Sequence, residues 1–446
     1  MFRRIFVANR GAIARRIVRT CNDLGRESVV VYSDADAHSP VLQESSVAIP
    51  LPGNRPDETY LNVEQLIRAA LDSGADAVHP GYGFLAENAD FARRVKDAGL
   101  AFIGPAPETM AQMGDKVAAR RLMQNTRFPV FAGSETLDSP AAAAKAAQAI
   151  GYPVMLKPSG GGGGMGMRRV DRPEDLADAL AQAQQIAQSA FADPAVYLEK
   201  CLVKPRHIEY QIIADHHGFV TSAFERDCSV QRRHQKLIEE TPAPGLERGD
   251  LNAIGEQAVL ACEQLGYNHI GTLETLYEQG ETGFLEMNTR IQVEHGVTEM
   301  VTGLDLVALQ IEIAEGARLQ EAATLQQISL NGYAVEARVY AEDPNTLLPS
   351  TGTLAVFDCP TLHGVRVETG YQAGQVVSPY YDPLLVKVIA HAHTRELAIG
   401  RLCVALGAMT IRGVQTNIPL LLKILKSEDF MSGQVDTGLL ERLTSG

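Results

Sequence analysis

Five strongly polar residues, Glu286, Asn288, Arg290, Gln292 and Glu294, alternate with Met287, Thr289, Ile291 and Val293 in one run. In an extended chain successive side chains point to opposite faces, so a period of two puts all five on one side. A solvated strand face also explains alternation, but a surface has little need of two carboxylates, two amides and a guanidinium in this order. Glu274, in Gly271-Thr272-Leu273-Glu274 on the preceding predicted strand, comes beside Glu286 if the two strands form a hairpin. Two carboxylates and an amide oxygen together make an oxygen-ligand site for magnesium bridging nucleotide phosphates.

Around that hairpin the chain reads as three units of mixed α/β and α+β character. Residues 3 to 35 predict strand, turn, helix and strand, and alternation continues through Asp76–Phe84 and Leu100–Pro105. This implies a parallel sheet up to about residue 114. The Asn9-Arg10-Gly11 turn lacks GxGxxG, so packing rather than dinucleotide binding is expected there. A second unit opens near Lys116, with helices over Pro140–Ile150 and Glu174–Phe191 around a strand ending in Lys157. Strands follow at Val196–Glu199, His207–Ala214 and Val220–Arg226, then a helix near Asp250–Leu265 and two strands across Gly271–Glu294. The third unit, from about Gly332, shows strands at Tyr333–Tyr340, Val365–Glu368 and Leu384–Ala390 and a helix near Arg395–Ala405. The units are placed at 1–115, 116–330 and 331–446.

Two further clusters carry chemistry. In Ser159–Met167 a run of glycines follows the strand ending in Lys157, and such a run lets backbone N–H groups close around phosphate oxygens. No GxxxxGK[ST] pattern occurs, so this is not a Walker A loop; a flexible surface hairpin is the alternative. Between Arg226 and Lys236 lie Arg232, Arg233 and His234, which read either as an exposed basic loop or as a focused field for a small anion. The second reading is favoured because the chain is acidic, with 40 Lys and Arg against 54 Asp and Glu and a formal charge of -14. The same balance argues against a nucleic-acid partner. The six cysteines include no CxxC pair and are expected to be reduced packing residues. No long apolar run or signal peptide is evident, so a cytoplasmic location without a membrane partner is expected.

Together these motifs resemble the biotin carboxylase family of ATP-grasp enzymes over essentially the whole chain. The residues that carry the resemblance are Ala8–Gly11, His79–Leu85, Met113–Lys116, the glycine run, Pro205–His207, Glu225–Ser229, Gln231–Lys236, Glu286–His295 and Ala341–Pro344. It implies an ATP-grasp fold with an N-terminal Rossmann-like (pre-ATP-grasp) domain, a C-terminal biotin carboxylase domain and a mobile lid at about 131–203. Lys116 and Lys157 are implied to contact nucleotide phosphates under the loop of Gly162, Gly163 and Gly164. Glu199, Lys200 and Leu202 form the implied adenine-binding connection, and His207, Gln231 and His234 line the nucleotide pocket. Glu274 and Glu286, with Asn288 beside them, are implied to hold magnesium or manganese. Lys236, Arg290, Gln292 and the Val293 backbone would bind bicarbonate, with Glu294 as its base. Arg338 would face the ureido group of biotin, which Tyr82 and Gly83 help to position.

The implied reaction uses ATP and bicarbonate to carboxylate biotin through carboxyphosphate. The sequence has no Met-Lys-Met attachment motif, so the biotin is expected on a biotin carboxyl carrier protein. Carboxyltransferase subunits and a homodimer are the other implied partners. The acceptor would be acetyl-CoA, as in fatty acid biosynthesis, another acyl-CoA or pyruvate. The chain departs from the family at Met165, where Arg or Lys is usual, at Gly296, where proline is usual, and over Thr126–Gly133. Two alternatives stand beside this reading. Another ATP-grasp carboxylate-amine ligase gives no reason for the Arg290–Glu294 pattern. A weakly active, nucleotide-binding paralogue with an assembly or regulatory role is opposed by the presence of the implied ligands and bases.

Overall fold

The computed structural model describes residues 1–160 and 166–444. Its first sheet is parallel: β1 (Arg4–Val7), β2 (Glu27–Ser33), β3 (Val47–Leu51), β4 (Ala77–His79) and β5 (Ala101–Phe102) lie in the order β3-β2-β1-β4-β5. Both faces are covered, which is why Ile5–Val7 of β1 is a continuous apolar run. Ile5 and Val7 pack with Ile13 and Ile17 of helix Gly11–Asp23, while Phe6 packs with Leu66 and Phe91 on the opposite side. The turns after β1 and β4 are tied together, Asn9 Nδ2 donating to the carbonyls of Pro80 (2.7 Å) and Tyr82 (2.8 Å). Gly81 has a φ of 64°, and a Cβ there would fall 2.9 Å from Ile13, so the close approach of the two turns requires glycine. Tyr82 and Gly83 therefore sit at the carboxyl ends of β1 and β4, the crevice at which the strand order reverses.

A small antiparallel sheet, β6 (Val154–Pro158), β7 (Arg168–Val170) and β8 (Val196–Lys200), has a core of its own with helices Pro140–Ile150 and Leu176–Phe191. Gly162, Gly163, Gly164 and Met165 lie outside the described residues.

The central sheet has eight strands. β9 (Arg206–Ala214), β10 (Val220–Arg232), β11 (Gln235–Thr241), β12 (Gly271–Glu278), β13 (Glu281–Asn288) and β14 (Tyr333–Tyr340) are joined by strands Leu384–Ala392 and Val365–Thr369. The order is β13-β12-β9-β10-β11-β14, then Leu384–Ala392 and Val365–Thr369, so one sheet runs from the middle of the chain into its last third. The basic cluster at 226–236 is a hairpin of this sheet rather than an exposed loop. It reverses at Arg233 and His234, both with positive φ, and Arg226 within it is fully buried.

Period two divides the sheet into an apolar and a polar face. On β9, Ile208, Tyr210 and Ile212 pack with Leu251 and Ala258 of helix Arg248–Gln264, leaving His207, Glu209 and Gln211 on the other side. On β14, Val335, Ala337 and Val339 join the C-terminal core with Val386, Val388 and helix Arg395–Ala408, leaving Glu336 and Arg338 opposite. Among the described residues no helix is long and apolar enough to cross a membrane.

Candidate active site

The polar face carries a row in register across four strands: Arg226 on β10 opposite Glu209 on β9, Glu209 opposite Glu274 on β12, and Glu274 opposite Glu286 on β13. The expected Glu274–Glu286 pairing is thus present. The expected extension of that strand to Glu294 is not: β13 ends at Asn288, and residues 289–294 leave the sheet to enter helix His295–Thr302. β12 begins at Gly271, with Thr272 opposite Asn288, so the chain beyond has no strand left to pair with. Glu87 takes the ladder's place, accepting from the Thr289 N–H (3.1 Å) and Arg290 Nε (2.8 Å). Alternation therefore does not put Arg290–Glu294 on one strand face; Ile291, Gln292 and Glu294 are all buried.

The centre of the site is Lys236. Its ammonium lies 2.6 Å from Glu209, 2.9 Å from Glu274 and 2.5 Å from Glu294. The second Glu294 oxygen meets Arg338 Nη2 at 2.9 Å, and Arg338 Nε lies 2.5 Å from Glu239. Burial alone would raise the Glu294 carboxyl, but Lys236, Arg338 and Arg226 together hold it well below the ordinary range. Arg226 fixes the surroundings: it donates to Glu209 (2.5 Å), Gln211 (2.7 Å), Thr298 (3.0 Å), Thr272 (3.0 Å) and Gln292 (3.1 Å).

Glu274, Glu286 and Asn288 present oxygen donors from neighbouring positions of one hairpin, the donor chemistry that a hard divalent cation takes. Glu274 is ionised: burial would raise its carboxyl, but Lys236 and His207 outweigh that and hold it well below the ordinary range. Three further nitrogens meet its oxygens, His207 Nε2 at 2.9 Å, Asn288 Nδ2 at 2.9 Å and Gln292 Nε2 at 2.6 Å. Glu286 is half-buried, with Lys116 Nζ at 3.3 Å, and Arg290 donates to Asn288 Oδ1 at 2.8 Å. These residues fit magnesium.

Of the residues expected around a nucleotide, Lys157, Glu199 and Lys200 lie on the small sheet, Gln231 and His234 at the hairpin tip, and His207 on β9. Lys157 on β6 pairs with Glu199 on β8, which also takes Arg120. Lys200 is exposed and paired with Glu281 at 2.8 Å, and Leu202 is half-buried. Gln231 is buried beside the tip. Partial burial, with Lys157, His207 and Lys116 nearby, holds the His234 imidazole below its ordinary range. Burial pushes the Tyr82 phenol up to about 12, with Lys387, Glu368 and Arg338 as its charged neighbours. Gly83 is exposed beside it. At Gly296 a Cβ would collide with Ile389 Cδ1, so the missing side chain is matched by the neighbouring strand.

Sequence reasoning placed Arg226 only in the basic cluster and did not single out Glu209, Glu239, Glu336, Glu87 or Lys387 as site residues. The available signal was a charge at every second position of an otherwise apolar strand, as in His207-Ile-Glu209 and Glu336-Ala-Arg338. Glu239 and Glu336 face each other across β11 and β14, and burial pushes their carboxyls up to about 7 and about 8. In the unfolded chain both release their protons near about 4.3. Between that value and 8 the folded state holds more protons, so these groups make stability fall as pH rises. Glu336→Gln is expected to flatten that decline, seen as a smaller difference between thermal melting temperatures at pH 5.5 and pH 8 than in the unaltered protein.

Family models match three successive stretches. They are the biotin carboxylase N-terminal domain (residues 1–110), the carbamoyl-phosphate synthase L chain ATP binding domain (115–322) and the biotin carboxylase C-terminal domain (336–442). With the site above, these define an ATP-grasp ligase. Biotin carboxylase 2 of Bacillus subtilis is 46% identical over 444 residues, covering 99% of this chain and 100% of the relative. The biotin carboxylase of Allochromatium vinosum is 45% identical over 448 residues, covering 99% of each chain. The biotin carboxylase domain dimer of Hydrogenobacter thermophilus 2-oxoglutarate carboxylase, solved with MgADP, ADP and bicarbonate, superposes with a TM-score of 0.96 at 42% identity, covering 99% of this chain and 98% of that one. The chain belongs to the biotin carboxylase family.

Proposed function

We propose that this protein carboxylates biotin at the expense of ATP, with bicarbonate as the carbon source and Glu294 as the base. The observation that carries the reading is the Glu294 carboxylate held between Lys236 and Arg338 at one buried point. Lys236, Arg290, Gln292 and the Val293 backbone bind bicarbonate, and Arg338 faces the ureido group of biotin with Tyr82 and Gly83. Lys116, Lys157 and the loop of Gly162 to Gly164 hold the phosphates, while Glu199, Lys200, Leu202, His207, Gln231 and His234 enclose the rest of the nucleotide. Glu274, Glu286 and Asn288 would hold magnesium, which when bound neutralises phosphate charge.

Bicarbonate is a weak nucleophile, so Glu294 takes its proton as the oxygen attacks the γ-phosphorus and ADP leaves. Between two cations Glu294 is a weak base. A bicarbonate anion that takes over Lys236 removes part of that hold and raises the basicity of Glu294 as the substrate arrives. The resulting carboxyphosphate yields carbon dioxide and phosphate, and the phosphate takes the ureido N–H proton. The nitrogen then bonds to carbon dioxide, with Arg338 stabilising the ureido oxyanion through its permanently charged paired donors. The small sheet with its own core supports a lid over about 131–203, which would shield carboxyphosphate from water.

The biotin would be carried on a biotin carboxyl carrier protein, with carboxyltransferase subunits choosing the acceptor, and the enzyme would be a cytoplasmic homodimer. The experiment is direct: labelled bicarbonate, magnesium, ATP and free biotin should yield carboxybiotin, and chelation of magnesium should abolish it. Arg338→Ala is expected to lose most carboxybiotin while still releasing some ADP. A normal carboxybiotin yield from that variant would reject the role given to Arg338.

A further inference from the structure

Residues 289–294 carry four groups of the proposed site yet belong to no strand, so individual bonds must hold them in place. Glu87 holds Thr289 and Arg290, Arg226 holds the Gln292 side chain, and His295 Nδ1 lies 2.7 Å from the Gln292 carbonyl. At Val293 the bond comes from the last third of the chain: Lys387 Nζ donates to the Val293 carbonyl at 2.5 Å. Lys387 is wholly buried on strand Leu384–Ala392, directly opposite Arg338 on β14 and Glu368 on Val365–Thr369. Its other titratable neighbours are Glu336 and Tyr82.

A buried ammonium is costly unless it is paired and hydrogen-bonded, so its presence needs a reason. Neutralising Glu368 (2.7 Å) is an insufficient one, because Arg366 already bonds that carboxylate and Arg16 stands 3.7 Å from it. Both arginines approach one Glu368 oxygen and Lys387 meets the other, but of the three cations it is Lys387 that also bonds the Val293 carbonyl.

We propose that Lys387 is a positioning residue for the bicarbonate site. By holding the Val293 carbonyl it orients the peptide that leads into Glu294 and the backbone against which the anion binds. Through Arg338 and Lys387, neighbouring strands of the C-terminal part grip the base from its side chain and from its backbone. The inference rests on the reading of residues 290–294 as the bicarbonate site.

The test is steady-state ADP release by Lys387→Met, which keeps an unbranched side chain of similar length but removes the cation, with bicarbonate and ATP varied separately. The expected result is a bicarbonate KM raised by about tenfold or more, as for loss of a hydrogen bond from a charged donor, with the ATP KM within about twofold. Lys387→Met/Glu368→Gln removes both charges, leaves Arg366 with Glu299 at 2.6 Å and decides the matter if the single variant misfolds. A merely neutralising lysine predicts that the double variant regains the original bicarbonate KM; a positioning lysine predicts that it does not. An unchanged bicarbonate KM, a rescue by the double variant, or equal rises for both substrates overturns the proposal. ADP release by the unaltered protein that ignores bicarbonate would instead refute the site reading on which it rests.

Discussion

Glu294→Gln is expected to lower bicarbonate-dependent ADP release by about 10²- to 10⁴-fold, the range for loss of a positioned general base. Glutamine keeps the shape of the side chain and removes its ability to take a proton. The surroundings should tolerate it, because Lys236 retains Glu209 and Glu274 and Arg338 retains Glu239. Nucleotide affinity should therefore change little, which separates loss of the base from collapse of the pocket. Rate and nucleotide binding measured on the same preparation check this. A rate within tenfold of the unaltered protein would remove Glu294 from the role of base.

The second large effect is expected at Lys236, whose ammonium contacts Glu209, Glu274 and Glu294 together. Lys236→Met leaves three buried carboxylates sharing Arg226, His207 and Arg338. Breaking a buried ion pair by removing one partner costs roughly 3–5 kcal/mol, because the remaining charge stays desolvated. Activity should be lost and stability should fall by that order, measured by denaturant unfolding with a chelator present. Adding Glu209→Gln should restore part of the stability without restoring ADP release. Were the single variant as stable as the unaltered protein, the carboxylates would not depend on Lys236 for their charge.

Both expectations depend on parts of the fold that differ in how far the sequence reveals them. Local periodicity suffices for helix Pro140–Ile150 and strand Tyr333–Tyr340, which form at the predicted bounds. It also suffices for the hairpin that sets Glu274 opposite Glu286. Strand β11 was hidden because Gln235-Lys236 and Glu239-Glu240 are poor strand formers by composition. They are tolerated because Glu239 pairs with Arg338, Glu240 with Arg395 and Lys236 with Glu294. The pairing of β11 with β14, nearly a hundred residues later, leaves no local mark, so the continuity of the central sheet was illegible. Arg290–Glu294 shows the converse. Its alternation is as regular as that of a strand, yet strand geometry also needs a partner, and β12 supplies none past Asn288. Arg226 gathers five partners from four segments of the chain, and no spacing in the sequence announces such a convergence. Period two and the hairpin made the oxygen donors Glu274, Glu286 and Asn288 legible, whereas the roles of the other site residues came from family resemblance.

The central claim is that ATP is cleaved by attack of bicarbonate, with biotin as the final acceptor of the carboxyl group. The measurement that addresses it most directly is ADP release in rigorously decarbonated buffer, then with bicarbonate restored, then with free biotin added. Negligible release is expected in the first condition, release in the second and stimulation in the third. Equal ADP release with and without bicarbonate would contradict the claim.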